Sequence, residues 1–180
     1  KNVTAGAVNI TTAQPTFDLS GQVQASVGNL GFRQVKGALS GPLSGSLAAR
    51  IAFSSTGRRG TIYNVATHHW VNAQDNLGAR AALLWQANDR LALTLRGDYQ
   101  VQDPDCCAQI YAAVSPTQRP LNRQYAALAA ALGYRPPSTD PFARLTDVDA
   151  ELRARNQTGG ASLKGEQDLG GGTLTAVSAW

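Results

Sequence analysis

The feature that most limits what this chain can become is alternation with a period of two. Side chains of a strand point in turn to opposite faces, so a segment alternating apolar and polar residues makes a ribbon with one greasy side and one wet side. From Phe17 to Val27 the pattern is unbroken. Phe17, Leu19, Gly21, Val23, Ala25 and Val27 fall on one side, and Asp18, Ser20, Gln22, Gln24 and Ser26 on the other. It returns over Phe32–Ser40, Leu47–Thr56, Asp75–Gln86 and Leu91–Gln102. A sixth stretch, Gly159–Leu169, places Lys164, Glu166 and Asp168 on one side. A seventh opens at Thr173, and its facing is left open by the sequence.

The connections between these predicted strands alternate in length. Gly41–Gly45, Asn88–Arg90 and Gly170–Gly172 are short, Gly57–Ala73 is longer, and Asp103–Asn156 is very long. A connection of that size counts against a compact soluble domain. Short turns at one end and long loops at the other are what a transmembrane β-barrel shows. Within the longest loop, Gln124–Leu132 is expected to form a short alanine-rich helix stopped by Gly133.

Composition points the same way. Charged residues make up only 16% of the chain, which contains 18 glycines and no methionine; a soluble domain ordinarily carries more charge. No apolar run approaches the roughly 20 residues of a membrane-spanning helix, whereas barrel strands need only about 9–11. The net charge of +4 is spread over single basic residues, Arg58-Arg59 being the one adjacent pair. The clustering that nucleic-acid binding requires is missing, and no nucleic-acid partner is expected. Lys1–Gly6 is not a secretory signal, since no apolar stretch follows its basic start. The sequence stops at Trp180 inside a predicted strand, so a fragment of a longer protein is expected.

Charge fixes which side faces what. A basic side chain in lipid at mid-membrane costs about 2–4 kcal/mol. With the apolar side outward, Arg50, Arg80 and Arg96 all face the interior; a slip of one residue would put all three into lipid. Arg33 has the opposite parity but lies beside the Gly28–Gly31 turn, where the penalty fades. The fourth and fifth strands allow a sharper expectation. Paired residues share a face, so their numbers sum to an even value, and closing on Ala87 and Leu91 sets Arg80 opposite Asp98. Moving the closure by one residue sets Arg80 against Arg96 instead. Opposite charges across a pair stabilise and like charges destabilise, by up to about 1 kcal/mol each way. The expected lumen-face pair is therefore Arg80 with Asp98. Trp85 and Tyr99, apolar-side aromatics near opposite ends of their strands, suit girdles at the two membrane interfaces.

Several motifs carry a family resemblance. Gly6-Ala7-Val8-Asn9-Ile10-Thr11-Thr12, followed by Pro15, resembles the end of the plug domain of TonB-dependent outer-membrane receptors, which leads into the first barrel strand. Gly28–Phe32 is similar to that family's first hairpin, Ser40-Gly41-Pro42-Leu43 to its first periplasmic turn, and Asp75–Arg80 to the start of its fourth strand. The resemblance runs over nearly the whole chain. It implies that residues 1–15 end a plug domain and that residues 16–180 begin a transmembrane β-barrel, with 103–156 as a long outer loop. It also implies energy-coupled import of a scarce nutrient, a ferric siderophore first among the candidates, driven by the TonB complex through an N-terminal box that this sequence lacks. The remaining partner it implies is outer-membrane lipid. No functional residue carries over.

The expected fold is thus all-β, a partial antiparallel transmembrane β-barrel of about six to seven strands with one long extracellular loop. Alone, such a piece would leave open sheet edges, which lipid does not tolerate. Two alternatives remain: a passive porin-type channel, which shares the barrel but lacks the plug, and a soluble β-sandwich binding module, which would bury the apolar face internally.

No catalytic, cofactor or metal site is expected, because the sequence has no phosphate loop, nucleophile elbow or spaced carboxylate pair. His68-His69 lies in the first long loop; adjacent side chains point different ways and no third ligand is suitably spaced, so these are read as solvated residues. Asp147, Asp149 and Glu151 could offer oxygen ligands to a cation or form a solvated loop face. Cys106 and Cys107 would sit in an oxidising exterior compartment. They could form a vicinal disulfide that locks a turn, remain free thiols, or link to a part of the protein outside this chain.

Overall fold

The structure, a computed structural model, describes residue 6 and residues 11–180. Most of the plug-like segment before Thr11 therefore lies outside the described residues. The described residues form ten strands: β1 (Ser20–Val27), β2 (Arg33–Pro42), β3 (Leu47–Arg58), β4 (Ile62–Asn64), β5 (His69–Val71), β6 (Gln74–Asn88), β7 (Leu91–Gln102), β8 (Leu145–Thr146), β9 (Asn156–Asp168) and β10 (Thr173–Ala179). Seven of them make one antiparallel sheet in the order β1-β2-β3-β6-β7-β9-β10. The sheet is open, its edges β1 and β10 remaining unpaired with each other. One short helix, α1 (Tyr125–Ala131), stands in the long connection, with Gly133 beyond it at φ +64°. No described helix is long and apolar enough to cross a membrane.

Alternation sets the register. In the five ladders from β1 to β9, partner numbers sum to even values, as in Val23–Gly37, Leu39–Ile51, Phe53–Ala79, Leu83–Leu95 and Leu95–Leu163, except at Asn88–Leu91 beyond a bulge. Odd-numbered residues therefore hold one face across six strands, and that face is apolar. The even face carries rows such as Gln24, Lys36, Ser54, Gly78 and Gln100. The last ladder differs. Ser178 pairs with Leu163 and Ala176 with Gly165, so in β10 the even residues join the apolar face and Thr175 and Val177 join the polar one.

The strand limits differ from the sequence expectation at β1, β2 and β6, where hydrogen bonds outside the ladders set them. β1 starts at Ser20 and not Phe17; upstream, the Thr16 N–H donates to the Ser40 hydroxyl at 2.9 Å. β2 runs on through Gly41 and Pro42, and the turn tightens to residues 43–46, where the N–H groups of Leu43 and Ser44 both donate to the Leu47 carbonyl. β6 extends to Asn88, and a bulge between Gln86 and Asn88 absorbs one residue. The Asn88 side-chain oxygen then accepts from Arg90 and Leu91 N–H, closing a tighter turn than expected.

The short turns β2–β3, β6–β7 and β9–β10 lie at one end of the sheet, and the β1–β2, β3–β6 and β7–β9 connections at the other. The long connections are not structureless. Within them β4, β5 and β8 make a second, three-stranded sheet in the order β5-β4-β8, antiparallel on one side and parallel on the other.

Little of the apolar surface is internal. Among the described residues the buried hydrophobics are Ala48, Val71, Ala82 and Ala108, whereas Val23 is 77% exposed, Ile51 57% and Leu77 56%. At Gly60 the contact is tight. A Cβ there would lie 2.5 Å from the Trp70 carbonyl carbon and from the backbone N and O of Val71. Gly60→Ala is expected to destabilise the protein by about 1–3 kcal/mol in denaturant unfolding, with faster amide exchange in β4 and β5. Unchanged exchange would mean that this contact is not made.

Candidate functional site

The two regions that can meet a solute are the polar face of the large sheet and the layer built by the long connections. On the polar face, the bulged β6–β7 ladder sets Arg80 opposite Asp98. They share a register position without closing an ion pair; the ion pairs closed among the described residues are Arg153–Asp103 and Lys164–Glu166. Arg50 and Arg96 lie on the same face, each registered against Ala82.

At the opposite end from the short turns, the first long connection forms the β4–β5 hairpin. Asn64 is 1% exposed, and its side-chain oxygen accepts from Ala66 and Thr67 N–H, which shapes the hairpin turn. Trp70 packs edge-on against Tyr63 at 5.4 Å, with the Arg59 guanidinium 5.9 Å from the Trp70 ring centre. The second long connection grips this hairpin from both sides. Its beginning docks beside β5: Asn72 N–H donates to the Asp105 carbonyl, and the Asn72 amide both donates to the Ala108 carbonyl at 2.9 Å and accepts from Ala108 N–H at 2.8 Å. The Asp105 carboxylate takes the Ala73 N–H. Its end docks beside β4: β8 pairs parallel with it, and the Asn64 amide donates to the Val148 carbonyl at 2.6 Å. The first turn joins in, the Arg59 N–H donating to the Leu30 carbonyl at 3.1 Å.

Two polar clusters tie the rest of the long connection. Tyr111 and Tyr134 both donate to the Asp147 carboxylate, Tyr111 at 3.1 Å. That hydrogen bond to Asp147, with Tyr111 adding to it, pushes the Tyr134 phenol above its ordinary 10.0. Arg153 forms a fork on Asp103, donating at 2.7 and 2.6 Å. The Arg153 guanidinium holds the Asp103 carboxyl below its ordinary 3.8, and Arg155 adds to the effect.

The loop residues singled out in the sequence do not gather into one site. Cys106 and Cys107 are bonded to each other in the segment between Asp105 and Ala108, where the long connection is pinned to Asn72. His68 approaches the Tyr63 hydroxyl at 3.5 Å, while His69 lies in β5. Asp147 is occupied by the two tyrosines, and no metal-capable group of three His, Cys, Asp or Glu side chains occurs among the described residues. What sequence reasoning missed is the latch through Asn64 and Asn72. The one signal for it was asparagine in the long connections, and Asn72 has a φ of +65°, a backbone state that asparagine tolerates better than most residues.

No protein-family model matches the chain, and no curated protein matches its sequence. Its fold is similar to that of a chain in the solved structure of the FpvAI–pyocin S2 complex, with a TM-score of 0.64 at 15% identity. The match takes in 93% of this chain and 20% of that one, so this chain spans about one fifth of its structural neighbour. At that identity the likeness is one of fold.

The Asp103–Arg153 pair yields a pH dependence. A carboxyl whose folded pKa is depressed adds stability above its ordinary value and loses it as pH falls through the lower, folded one. The Ala154 N–H, which donates to the Pro104 carbonyl beside this pair, should keep its exchange protection from neutral pH down to 3.8 and lose it below. Asp103→Asn should lower that protection already at neutral pH. Protection unmoved by both acid and the substitution would show that the pair does not hold the connection.

Proposed function

We propose that this chain joins the end of the plug to the first barrel strands of a TonB-dependent outer-membrane receptor, which imports a scarce nutrient by energy-coupled transport, with a ferric siderophore as the first candidate. In this reading residues 1–15 end the plug, residues 16–180 begin the barrel, and the polypeptide performs no catalysis. The observation that carries the proposal is the uncovered apolar face. Leu39, Ile51, Leu77, Leu83, Leu95 and Leu163 share one side of a continuous sheet, and each is exposed. Contiguous apolar surface on this scale marks contact with lipid or another apolar partner. The opposite face is polar and charged, as the wall of a water-filled lumen is. Short turns at one end and built-up connections at the other fit periplasmic and outer sides.

The plug-like motif and the likeness of fold to a chain of the FpvAI–pyocin S2 complex favour a receptor over a passive channel. In the soluble β-sandwich alternative the apolar face would be the inner one, yet its residues stand open. With the outer ends of the sheet capped and the inner ends tightly turned, this part of the wall would present its latched loops to the medium. Its lumen arginines would face the plug and the cargo path. The open edges of β1 and β10 would be met by the remaining barrel strands, since an unpaired edge in hydrocarbon leaves backbone groups without partners.

Fractionation of cells that express the full-length protein should place it in the outer membrane; recovery from the soluble periplasm would defeat the proposal. A second measurement tests the facing. In protein folded into lipid vesicles, Leu83→Arg should destabilise by about 2–4 kcal/mol. Gln100→Arg, on the polar face, should stay within about 0.5 kcal/mol of the parent. Equal effects would show that the odd face does not meet lipid.

A further inference from the structure

On the polar face, three arginines stand around one small residue. Ala82 is registered with Arg50 on one neighbouring strand and with Arg96 on the other, and Arg80 lies two residues away on Ala82's own strand. Ladder spacing puts the Cα atoms of Arg50 and Arg96 roughly 10 Å apart, and that of Arg80 about 7 Å from Ala82. All three line a single cavity of about 250 Å³, together with Ala52, Ala82, Thr12 and Ala13. Small side chains make the space. Ala82 is only 6% exposed, and Ala52 is the register partner of Arg80.

Three cations sharing one cavity repel one another unless something negative sits among them. The nearest carboxylate in the register, Asp98, lies opposite Arg80 and closes no ion pair with it. The Nε of Arg96 is buried and meets no hydrogen-bond partner among the described residues. A buried donor without an acceptor is uncommon in a folded protein. Guanidinium groups present N–H donors in a planar fork that matches the paired oxygens of a carboxylate or phosphate. The segment at Thr12 and Ala13 runs along the same cavity, so the approach to the arginines is bounded by the chain that leads into β1.

We propose that Arg50, Arg80 and Arg96 form an oxyanion site for the carboxylate or phosphate group of a small anionic solute, with Ala52 and Ala82 leaving the room for it. Its place on a transport path rests on the reading proposed above, while binding itself rests only on the placement of these side chains. The cargo class that follows is an anion and not a neutral sugar. Arg50, Arg80 and Arg96 reach the cavity from three successive strands, β3, β6 and β7.

The test is calorimetric titration of the full-length protein in detergent micelles with succinate, with inorganic phosphate, and with succinamide as a neutral match for succinate. Succinate or phosphate is expected to bind, and the two arms separate a carboxylate site from a phosphate site. Succinamide is expected not to bind, and the anion's affinity should fall as salt is raised. Arg96→Gln and Arg50→Gln should each weaken binding tenfold or more. Lys164→Gln, elsewhere on the same face, should leave it unchanged. The parent protein's preference for succinate over succinamide needs no variant, so a substitution that fails to fold cannot obscure the result. Absence of binding by both anions, equal binding of succinamide, or parent-like affinity in folded Arg50→Gln and Arg96→Gln would each overturn the site. Outer-membrane recovery without anion binding would refute the site and spare the transport reading. Anion binding by a protein recovered from the soluble periplasm would do the reverse.

Discussion

A strand has two sides, and every hydrogen-bonded ladder in this sheet must match the sides of its neighbours. Five successive ladders keep odd residues with odd and even with even. A slip by one residue anywhere would turn the following strands over, exchanging leucines for arginines across the face. The bulge at Gln86–Asn88 shows how the constraint is met when a turn offers the wrong length. One residue is set aside at the very end of the ladder, and the rows beyond it stay in phase. The parity changes at the ladder between β9 and β10, which brings Val177 to the polar side.

The sheet was legible in the sequence because period-two alternation is a local signal with a single geometric meaning. β7 was bounded from the sequence at Leu91 and Gln102, and the β6–β7 register followed from placing Arg80 against Asp98 in preference to Arg96. The limits of β1, β2 and β6 were harder to read: β1 begins beyond the Thr16–Ser40 contact, and β2 and β6 end in turns closed by the Leu47 carbonyl and the Asn88 side chain. Thr16 finds Ser40 across 24 residues, and no window along the chain contains both. The layer above the sheet was hardest of all. Its strands have only two or three residues, too few for alternation to be visible, and its contacts join positions as far apart as Asn64 and Val148. The arginine cavity was half legible: parity put the three arginines on one face, but only the register against Ala82 gathers them around one point.

The two faces use opposite means of order. The apolar side offers shape and area but no directional contacts, and its residues stay open. The connections beyond the polar side are organised by hydrogen bonds with defined partners: the fork of Arg153 on Asp103, the two phenols on Asp147, the paired amide contacts of Asn72. Directional contacts survive in water only when they are grouped or shielded, and here they are grouped at the points where long stretches of chain return to the sheet.

That grouping has a consequence for how such a surface can diversify. The connection between β7 and β9 is fastened near its start, at residues 105–108, and again near its end, at residues 144–148. Length changes outside those fasteners would pull on strand ends and on the neighbouring hairpin. Length changes between them, around α1, leave both attachments in place. Between Tyr111 and Tyr134, both held by Asp147, the middle of this loop can therefore change while the sheet beneath keeps its registration.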